Sequence, residues 1–192
     1  MEMRGFYFNQ DDCIGCRTCQ IACKDKNDLP PDILLRRVRT YESGTFEAPG
    51  LYHYSGSCNN CADAPCIKAC PTCAMHRSDL GTVAHDERKC IRCGTCVRIC
   101  PYDAPQLVTV DGPLRKCDSC EELLRDGKNP VCVDACPMRA LEFGLLSELR
   151  MLHEGEALTD SLPCLPDSDT KPSVLIHPRP CALDSSFIEQ HV

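Results

Sequence analysis

The apolar positions of this chain form short runs, and polar residues, glycines or prolines interrupt each run within a few residues. Alternating apolar and polar positions are typical of half-buried strands. The pattern predicts short strands at residues 6–8, 34–41, 51–54, 81–86 and 106–110, with Asp111 and Gly112 as a tight turn. It also predicts short helices at residues 121–127 and 147–156. We expect the Pro-rich segment 157–192 to be an extended arm that lies on the body or on a partner.

Composition changes this picture, because few large side chains are available for a core. Of 192 residues, 5% are aromatic, none is Trp and 19 are Cys. Such a chain is held together by disulfides or by metal as well as by the burial of apolar side chains. The N-terminal residues contain no export signal of the usual pattern. No apolar run approaches the ~18 residues that span a bilayer, so we expect any membrane association to depend on a partner.

The charge balance narrows the choice of partners. The formal net charge is −7, which makes nucleic acid an unexpected partner. Arg36, Arg37 and Arg39 are the densest basic group, and we interpret them as a solvated strand face rather than a binding patch.

Cysteine spacing is the strongest signal in the sequence. Residues 89–101 follow the spacing C-x2-C-x2-C-x3-C-P, which holds a 4Fe-4S cluster in bacterial-type ferredoxins. The spacing recurs at an offset of 77 residues, but Lys24 follows Cys23 where Pro101 follows Cys100. We therefore expect the chain to continue as a helix beyond Cys23. Set one is Cys13, Cys16, Cys19 and Cys23, and set three is Cys90, Cys93, Cys96 and Cys100.

Two further sets share the x3-C-P ending with set three but have longer internal gaps. The segments after their last cysteines, CPTCAM and CPMRAL, are also alike. Sets one and three, and sets two and four, therefore form two related pairs. Set two is Cys58, Cys61, Cys66 and Cys70, and set four is Cys117, Cys120, Cys132 and Cys136.

Other uses of the cysteines fit the pattern less well. A disulfide framework conflicts with the missing export signal and the odd number of cysteines, and structural zinc rarely uses three C-x2-C steps before x3-C-P. Cys73, Cys164 and Cys181 lie outside the sets and are expected to be unligated. Lys89, Arg92 and Arg98 flank set three, where cations should raise the potential of the nearest cluster. No phosphate loop, nucleophile elbow or carboxylate pair stands out, so we expect no catalysis by this chain.

These motifs resemble a known family. They are CIGCRTCQIACKDKND, CNNCADAPC, KCIRCGTC, ICPYDAPQ, KCDSC, CVDACP and RALEFG, spread over about residues 3–150. The sequence is similar to the four-cluster ferredoxin-like electron-transfer subunits of molybdopterin oxidoreductases, most closely the iron-sulfur subunit of dimethyl sulfoxide reductase. The resemblance implies four 4Fe-4S clusters and an α+β, duplicated bacterial ferredoxin-like fold with one two-cluster half inserted in the other.

The resemblance also implies crossed ligation, in which the last cysteine of each set joins another set. Residues 1–50 and 112–147 would form the outer half, residues 51–111 the inserted inner half, and residues 148–192 a short helix and arm. The outer clusters would be held by Cys13, Cys16, Cys19 and Cys136, and by Cys117, Cys120, Cys132 and Cys23. The inner clusters would be held by Cys58, Cys61, Cys66 and Cys100, and by Cys90, Cys93, Cys96 and Cys70.

The implied function is electron relay between a membrane quinol-oxidising anchor subunit and a molybdopterin catalytic subunit of an anaerobic respiratory complex. The chain would be membrane-associated through a partner, either exported with the catalytic subunit or on the cytoplasmic face. The same role in a formate dehydrogenase, hydrogenase or sulfur-compound reductase remains open. A cluster-based redox sensor is a further alternative, although no effector module such as a DNA-binding helix pair is visible.

Overall fold

The computed structural model describes residues 2–110 and 112–190, and within them the chain folds into short strands, short helices and long loops. The strands are β1 (Arg4–Asn9), β2 (Arg37–Ser43), β3 (Gly50–Gly56), β4 (Met75–Arg77), β5 (Val83–His85), β6 (Gln106–Leu107), β7 (Leu114–Arg115), β8 (Leu141–Leu145), β9 (Val174–His177) and β10 (Phe187–Gln190). The helices are α1 (Thr18–Lys26), α2 (Pro65–Lys68), α3 (Thr95–Ile99), α4 (Glu121–Arg125), α5 (Val131–Asp134) and α6 (Leu146–Leu152). Short 3-10 turns lie at Glu87–Lys89 and Pro180–Leu183. None of the described helices is long and apolar enough to cross a membrane.

The first sheet joins the beginning and the end of the chain. β1 pairs antiparallel with β8 and parallel with β9, which gives the strand order β8-β1-β9. Phe6 and Phe8 pack into the main core on one face of β1, and Tyr7 packs with Leu149 and Leu175 on the other. Because both faces of β1 are covered, this strand is aromatic throughout its centre. The strand predicted at residues 6–8 is confirmed.

The second sheet is an antiparallel hairpin with a third strand from the arm. β2 pairs with β3, and β10 pairs with the other edge of β2. The hairpin spans residue 50, the predicted boundary between the two halves. The predicted strand 34–41 starts too early, because the backbone of Leu34 hydrogen-bonds the side-chain amide of Gln106 instead of a neighbouring strand.

Of the predicted arm 157–192, the described residues 157–190 lie on the body, which is one of the two predicted alternatives. Its backbone first pairs with the loop after β3, where Ser173 N–H donates to Asn59 O at 2.8 Å. It then adds β9 to the first sheet and β10 to the second. The arm therefore contacts both sheets and the loop that carries set two.

The helices that follow sets one and three differ in length for the reason that the sequence indicates. α1 continues through Cys23 to Lys26, whereas α3 ends at Ile99, before Cys100 and Pro101. Proline disfavours the helical conformation of the residue before it, so the chain must leave the helix at Cys100. The predicted helical continuation beyond Cys23 is confirmed.

The three sets that end in Cys-Pro share one turn. The residue three places after the cysteine donates its N–H to the carbonyl of that cysteine and has a left-handed backbone: Cys73 (φ 53°), Asp103 (φ 52°) and Arg139 (φ 55°). Set one lacks both the proline and the turn.

Four of the remaining predictions, two helices and two strands, hold, and one strand is corrected. The helices predicted at 121–127 and 147–156 are α4 and α6, each shorter than expected at its C-terminal end. The strand predicted at 106–110 is wrong beyond Leu107, because β6 pairs only with the two-residue β7 and Val110 is exposed to solvent. Within the predicted turn, Asp111 lies outside the described residues, and Gly112 N–H donates to Thr109 O. The strand predicted at 81–86 is β5, and that at 51–54 lies within β3.

The buried residues form two main cores. The first core lies between the two sheets and consists of Phe6, Phe8, Cys19, Val38, Tyr41, Tyr52, Tyr54, Cys132, Val133, Cys136, Ala140, Leu141, Leu162, Val174, Ile176 and Ala182. The second core lies around the hairpins β4–β5 and β6–β7 and consists of Cys23, Leu29, Ile33, Leu35, Cys58, Cys61, Ala64, Cys66, Met75, Val83, Cys96, Ala104, Leu114 and Cys117.

Candidate metal centres

The loops of sets one and three have matching backbones at the 77-residue offset. Gly15 (φ 68°) matches Arg92 (φ 58°), and Arg17 (φ 62°) matches Gly94 (φ 67°), so all four are left-handed. Only glycine adopts this conformation without cost. Each loop therefore has one glycine and one strained arginine at its two left-handed positions, and the order of the two residues is reversed between the loops.

Three cavities are each lined by four of the predicted cysteines. Site I contains Cys13, Cys16, Cys19 and Cys136. Site III contains Cys58, Cys61, Cys66 and Cys100. Site IV contains Cys70, Cys90, Cys93 and Cys96.

The three cavities are nearly equal in size. The space between protein atoms, including solvent at the mouth, is about 330 Å³ at site I and 340 Å³ at sites III and IV. The thiols line this space rather than meeting at a point. Among residues 2–110 and 112–190, no three His, Cys, Asp or Glu side chains are close enough to hold one metal ion.

Site II consists of the remaining predicted cysteines, Cys23, Cys117, Cys120 and Cys132, all of which are buried. Burial raises the pKa of Cys23 to about 12, and the nearby thiols of Cys132 and Cys120 add to the shift. Burial also raises the pKa of Cys117, again with a contribution from Cys23. These four thiols therefore influence one another across a sequence separation of more than a hundred residues.

Hydrogen-bond donors from the loops point at several of the sulfurs. The backbone N–H groups of Met75, Arg92 and Ser119 each lie 3.4 Å from a sulfur, those of Cys70, Cys90 and Cys117 respectively. Donors of this kind stabilise thiolates and metal-bound sulfur. The left-handed residues of the loops, Arg92 and Ser119 among them, are what turn these N–H groups toward the sulfurs.

The four sites differ in their exposure to solvent. Site I has the exposed Cys16 and site IV the exposed Cys93, whereas no cysteine of sites II and III is exposed. Hydrogen bonds with the side chain and backbone of Thr18 lower the pKa of Cys16, and those with the side chain and backbone of Thr95 lower the pKa of Cys93. Burial instead raises the pKa of Cys66, in site III, to about 12.

Structural links join neighbouring sites in the order I, II, III, IV, and we call this succession of sites the row. Sites I and II share helix α1, and α1 packs against α5, which carries Cys132 of site II. Cys117 of site II and Cys58 of site III each influence Lys116. Sites III and IV share the packed helices α2 and α3 and the residues that follow them. Sites I and IV are therefore the ends of the row.

Two buried cations lie between these sites, and the sequence interpretation missed both. Arg36 is 1% exposed and Lys116 is 9% exposed, so the interpretation of Arg36 as part of a solvated face is wrong. The period-two alternation of Arg36 with the buried Val38 and Thr40 was the available signal. In contrast, Lys89, Arg92 and Arg98 are exposed.

The three cysteines outside the sets line none of the three cavities described above. Cys73 is exposed, in the shared turn after Cys70, at the place of Arg139. Cys164 and Cys181 lie in the arm, half-buried against the first core. Their predicted unligated state agrees with this placement but remains a prediction.

Family models match most of the cysteine-containing sequence. A model described as "4Fe-4S dicluster domain" matches residues 50–146, and one described as "4Fe-4S binding domain" matches residues 10–26. Together they cover the sequence of all four cysteine sets.

Curated relatives align over 71% to 93% of this chain. The B subunit of anaerobic dimethyl sulfoxide reductase from Haemophilus influenzae is 43% identical over 93% of this chain and 91% of its own length. The protein of the same name from Escherichia coli is 41% identical, over 91% and 88%. Thiosulfate reductase electron transfer subunit PhsB of Salmonella typhi is 37% identical, over 71% and 72%.

Proposed function

Because this chain is a member of the family of anaerobic dimethyl sulfoxide reductase B subunits, a family of 4Fe-4S proteins, we propose that it is an electron-transfer subunit. In this proposal it holds four 4Fe-4S clusters, one at each of sites I to IV. The chain itself has no catalytic role. It conducts electrons within a dimethyl sulfoxide reductase-like anaerobic respiratory complex.

The row of thiol sites is the observation that carries this proposal. Its two ends each have an exposed cysteine, Cys16 and Cys93, whereas no cysteine of its middle sites is exposed. Buried middle sites protect electrons from solvent reactions, while exposed ends let partner proteins approach. A substrate-converting site would need one concave pocket with acid, base or nucleophile groups, which is a different arrangement.

The residues at each site fit the proposed cofactor. Four cysteines provide the soft, anionic ligands that iron-sulfur clusters require, and backbone N–H groups point at the sulfurs. When bound, such a cluster accepts and releases one electron. The raised pKa values of the buried thiols mean that loading must displace protons from them.

Crossed ligation and a duplicated fold are parts of the same proposal. Cys136 lines site I with set one, Cys100 lines site III with set two, and Cys70 lines site IV with set three. The matching left-handed positions at the 77-residue offset support two related halves. We place the outer half at residues 1–50 and 112–147, the inner half at 51–111, and the arm at 148–192.

The partners in this proposal are a molybdopterin catalytic subunit and a membrane anchor subunit. The relatives' designation as the B component of a reductase supports membership in a multi-subunit complex. The two exposed ends of the row offer one docking place to each partner. Association with the membrane then depends on the anchor subunit, on whichever side the complex faces.

Anaerobic purification with iron and acid-labile sulfide analysis tests the proposal. We expect about sixteen iron atoms per chain, a broad visible absorption and EPR signals on reduction. Replacement of Cys100 by Ser should disturb the cluster at site III first, whereas Cys73→Ser should leave iron content unchanged. Recovery of about four zinc atoms and no visible absorption would overturn the proposal.

A further inference from the structure

Arg36 is held in the protein interior in one orientation. Its Nη1 donates to the carbonyl and hydroxyl oxygens of Ser55 at 3.0 and 3.1 Å, and Nη2 donates to Ser57 Oγ at 3.0 Å. Its Cζ lies 4.3 Å from the centre of the Phe6 ring. Three hydrogen bonds and an aromatic face fix the guanidinium, so its charge has a defined position.

The groups that offset this buried charge are thiols. Burial opposes the charge of Arg36, but the sulfurs of Cys132 and Cys19, when ionised, outweigh the effect of burial and raise the pKa of Arg36. Cys132 belongs to site II and Cys19 to site I. A further contact joins the same groups, because Ser55 Oγ lies 3.4 Å from Cys19 Sγ and also accepts from Arg36.

An unpaired buried cation is costly, and burial of this kind normally requires an anion nearby. A 4Fe-4S cluster with four thiolates carries a charge of about −2 when oxidised and is more negative when reduced. The cation therefore favours the reduced state of any cluster beside it. A guanidinium stays protonated throughout the physiological range, so this influence does not vary with pH.

We propose that Arg36 is a positioning residue for electron transfer, acting as the shared counter-ion of sites I and II. It raises the reduction potentials of both clusters. This inference rests on the proposed function, since it requires clusters at both sites.

Lys116 occupies the corresponding place between sites II and III. Its ammonium donates to the carbonyl oxygens of Val83 and Cys117. Burial opposes its charge, and the thiolates of Cys58, Cys117 and Cys66 outweigh it and raise its pKa. Together, the two cations give a pattern that can be tested: site II neighbours both, sites I and III neighbour one each, and site IV neighbours neither.

EPR-monitored redox titration of the cluster-loaded protein tests the inference. In Arg36→Gln, which removes the charge but keeps amide donors, we expect two of the four clusters to become harder to reduce. The reduction equilibrium of each should fall about tenfold, which corresponds to about 59 mV for one electron. Arg36→Lys should retain potentials near those of the parent. Arg37→Gln is the control, because its side chain faces the groove beside Tyr102.

Lys116→Met provides the second half of the test. It should also shift two clusters, of which one is shared with Arg36→Gln, and one cluster should shift in neither variant. Failure of Arg36→Gln to load iron, with normal loading of Arg36→Lys, would support the same role for the charge.

Three results would contradict the inference: four unchanged potentials in loaded Arg36→Gln, equal shifts of all four, or identical shifts in Arg36→Gln and Arg36→Lys. Loss of iron from both variants would also contradict the inference. Arg36→Lys keeps the positive charge, so the loss would show that Arg36 acts through something other than its charge. Absence of clusters from the parent protein is a separate outcome, and it would overturn the proposed function instead.

Discussion

The first and second cores of this protein contain cysteines from similar loops but differ in their other buried side chains. Among the described residues, cysteines are three of the sixteen members of the first core and six of the fourteen members of the second. The first core has buried aromatic rings from β1, β2 and β3, and the second has none. Burial of large side chains therefore supports the first core directly, while the second depends on whatever its cysteines hold.

This difference shows how one loop pattern can be stabilised in two ways. The first core is covered by two three-stranded sheets, each with a strand from the arm. The second core is covered by two-stranded hairpins, which are marginal in isolation. Removal of the ligated group should accordingly affect the two regions unequally.

Iron removal by a chelator is the most severe test of this comparison. We expect amide hydrogen exchange to become fast throughout α2, α3 and the hairpins β4–β5 and β6–β7, because binding free energy supplies folding free energy there. The amides of β1, β8 and β9 should remain measurably protected by their aromatic core. Simultaneous loss of protection in all of these segments would show that the two cores form one metal-dependent unit.

Truncation of one side chain in each core gives a smaller effect. Phe8→Ala should cost about 3–5 kcal/mol and Met75→Ala about 2–5 kcal/mol in the loaded protein, since both side chains are 1% exposed. Hydrogen exchange of β1 and of β4 measures each loss. In chelated protein the Phe8→Ala penalty should persist, whereas the Met75→Ala penalty should vanish. A Met75→Ala penalty that survives chelation would argue against a metal-dependent second core.

The smallest effect concerns pH and should be confined to the first sheet. Tyr7 OH donates to Glu156 Oε2 at 2.7 Å, His153 Nδ1 lies 2.8 Å from Glu156 Oε1, and His153 Nε2 lies 3.3 Å from Glu142 Oε1. His177, which also approaches Asp11, lies 3.3 Å from Glu156. This cluster ties β1, β8 and β9 to the segment after α6.

Opposing shifts define the pH range of this cluster. Burial opposes the charge of His153, but its hydrogen bonds with Glu156 and Glu142 outweigh it and raise the pKa of His153 above 6.5. Burial likewise opposes the charge of Glu156, yet hydrogen bonds from Tyr7 and His153 lower the pKa of Glu156 below 4.5. The His153 contribution is complete below 6.5 and is lost as pH rises through its folded value. The Glu156 contribution is complete above 4.5 and is lost as pH falls.

Stability of the first sheet should therefore be greatest between about pH 4.5 and 6.5, the ordinary pKa values of these groups. We expect the His153 part to be worth at most about 1 kcal/mol, as for partly exposed ion pairs. In His153→Gln, the decrease in stability of the first sheet at high pH should disappear, whereas in His76→Gln it should remain. Hydrogen exchange of β9 between about pH 5 and 8 measures this decrease. An unchanged pH profile in His153→Gln would contradict the assignment.

The local features of the fold follow from the sequence wherever a single residue decides them. Pro101 ends α3 and Lys24 lets α1 continue, and both outcomes are predicted from the residues themselves. The grouping of Cys136 with set one, and of Cys100 with set two, is implied by the family resemblance and agrees with the cavities of sites I and III. Ligation itself stays a prediction.

Features that depend on distant segments could not be predicted in the same way. The side chain of Gln106 hydrogen-bonds the backbone of Leu34 in place of a neighbouring strand. The sequence around either residue gives no sign of this contact. The apolar residues 174–176 are compatible with an arm anywhere on the surface, and only the free edge of β1 selects their position. The burial of Arg36 depends on thiols of two sites that are brought together only by the fold.

The nesting of one pair of sites within another has a consequence for biosynthesis. A protein leaves the ribosome from its N-terminus, so a site can be filled only after its last cysteine has been made. Site IV is complete at Cys96 and site III at Cys100, whereas site II waits for Cys132 and site I for Cys136. The cysteines made first, Cys13, Cys16 and Cys19, are therefore among the last to find their partner. Under the proposed ligation, the nascent protein would keep these thiols unoccupied and reduced while the inner sites assemble. The first set to be made would then belong to the last site to be completed.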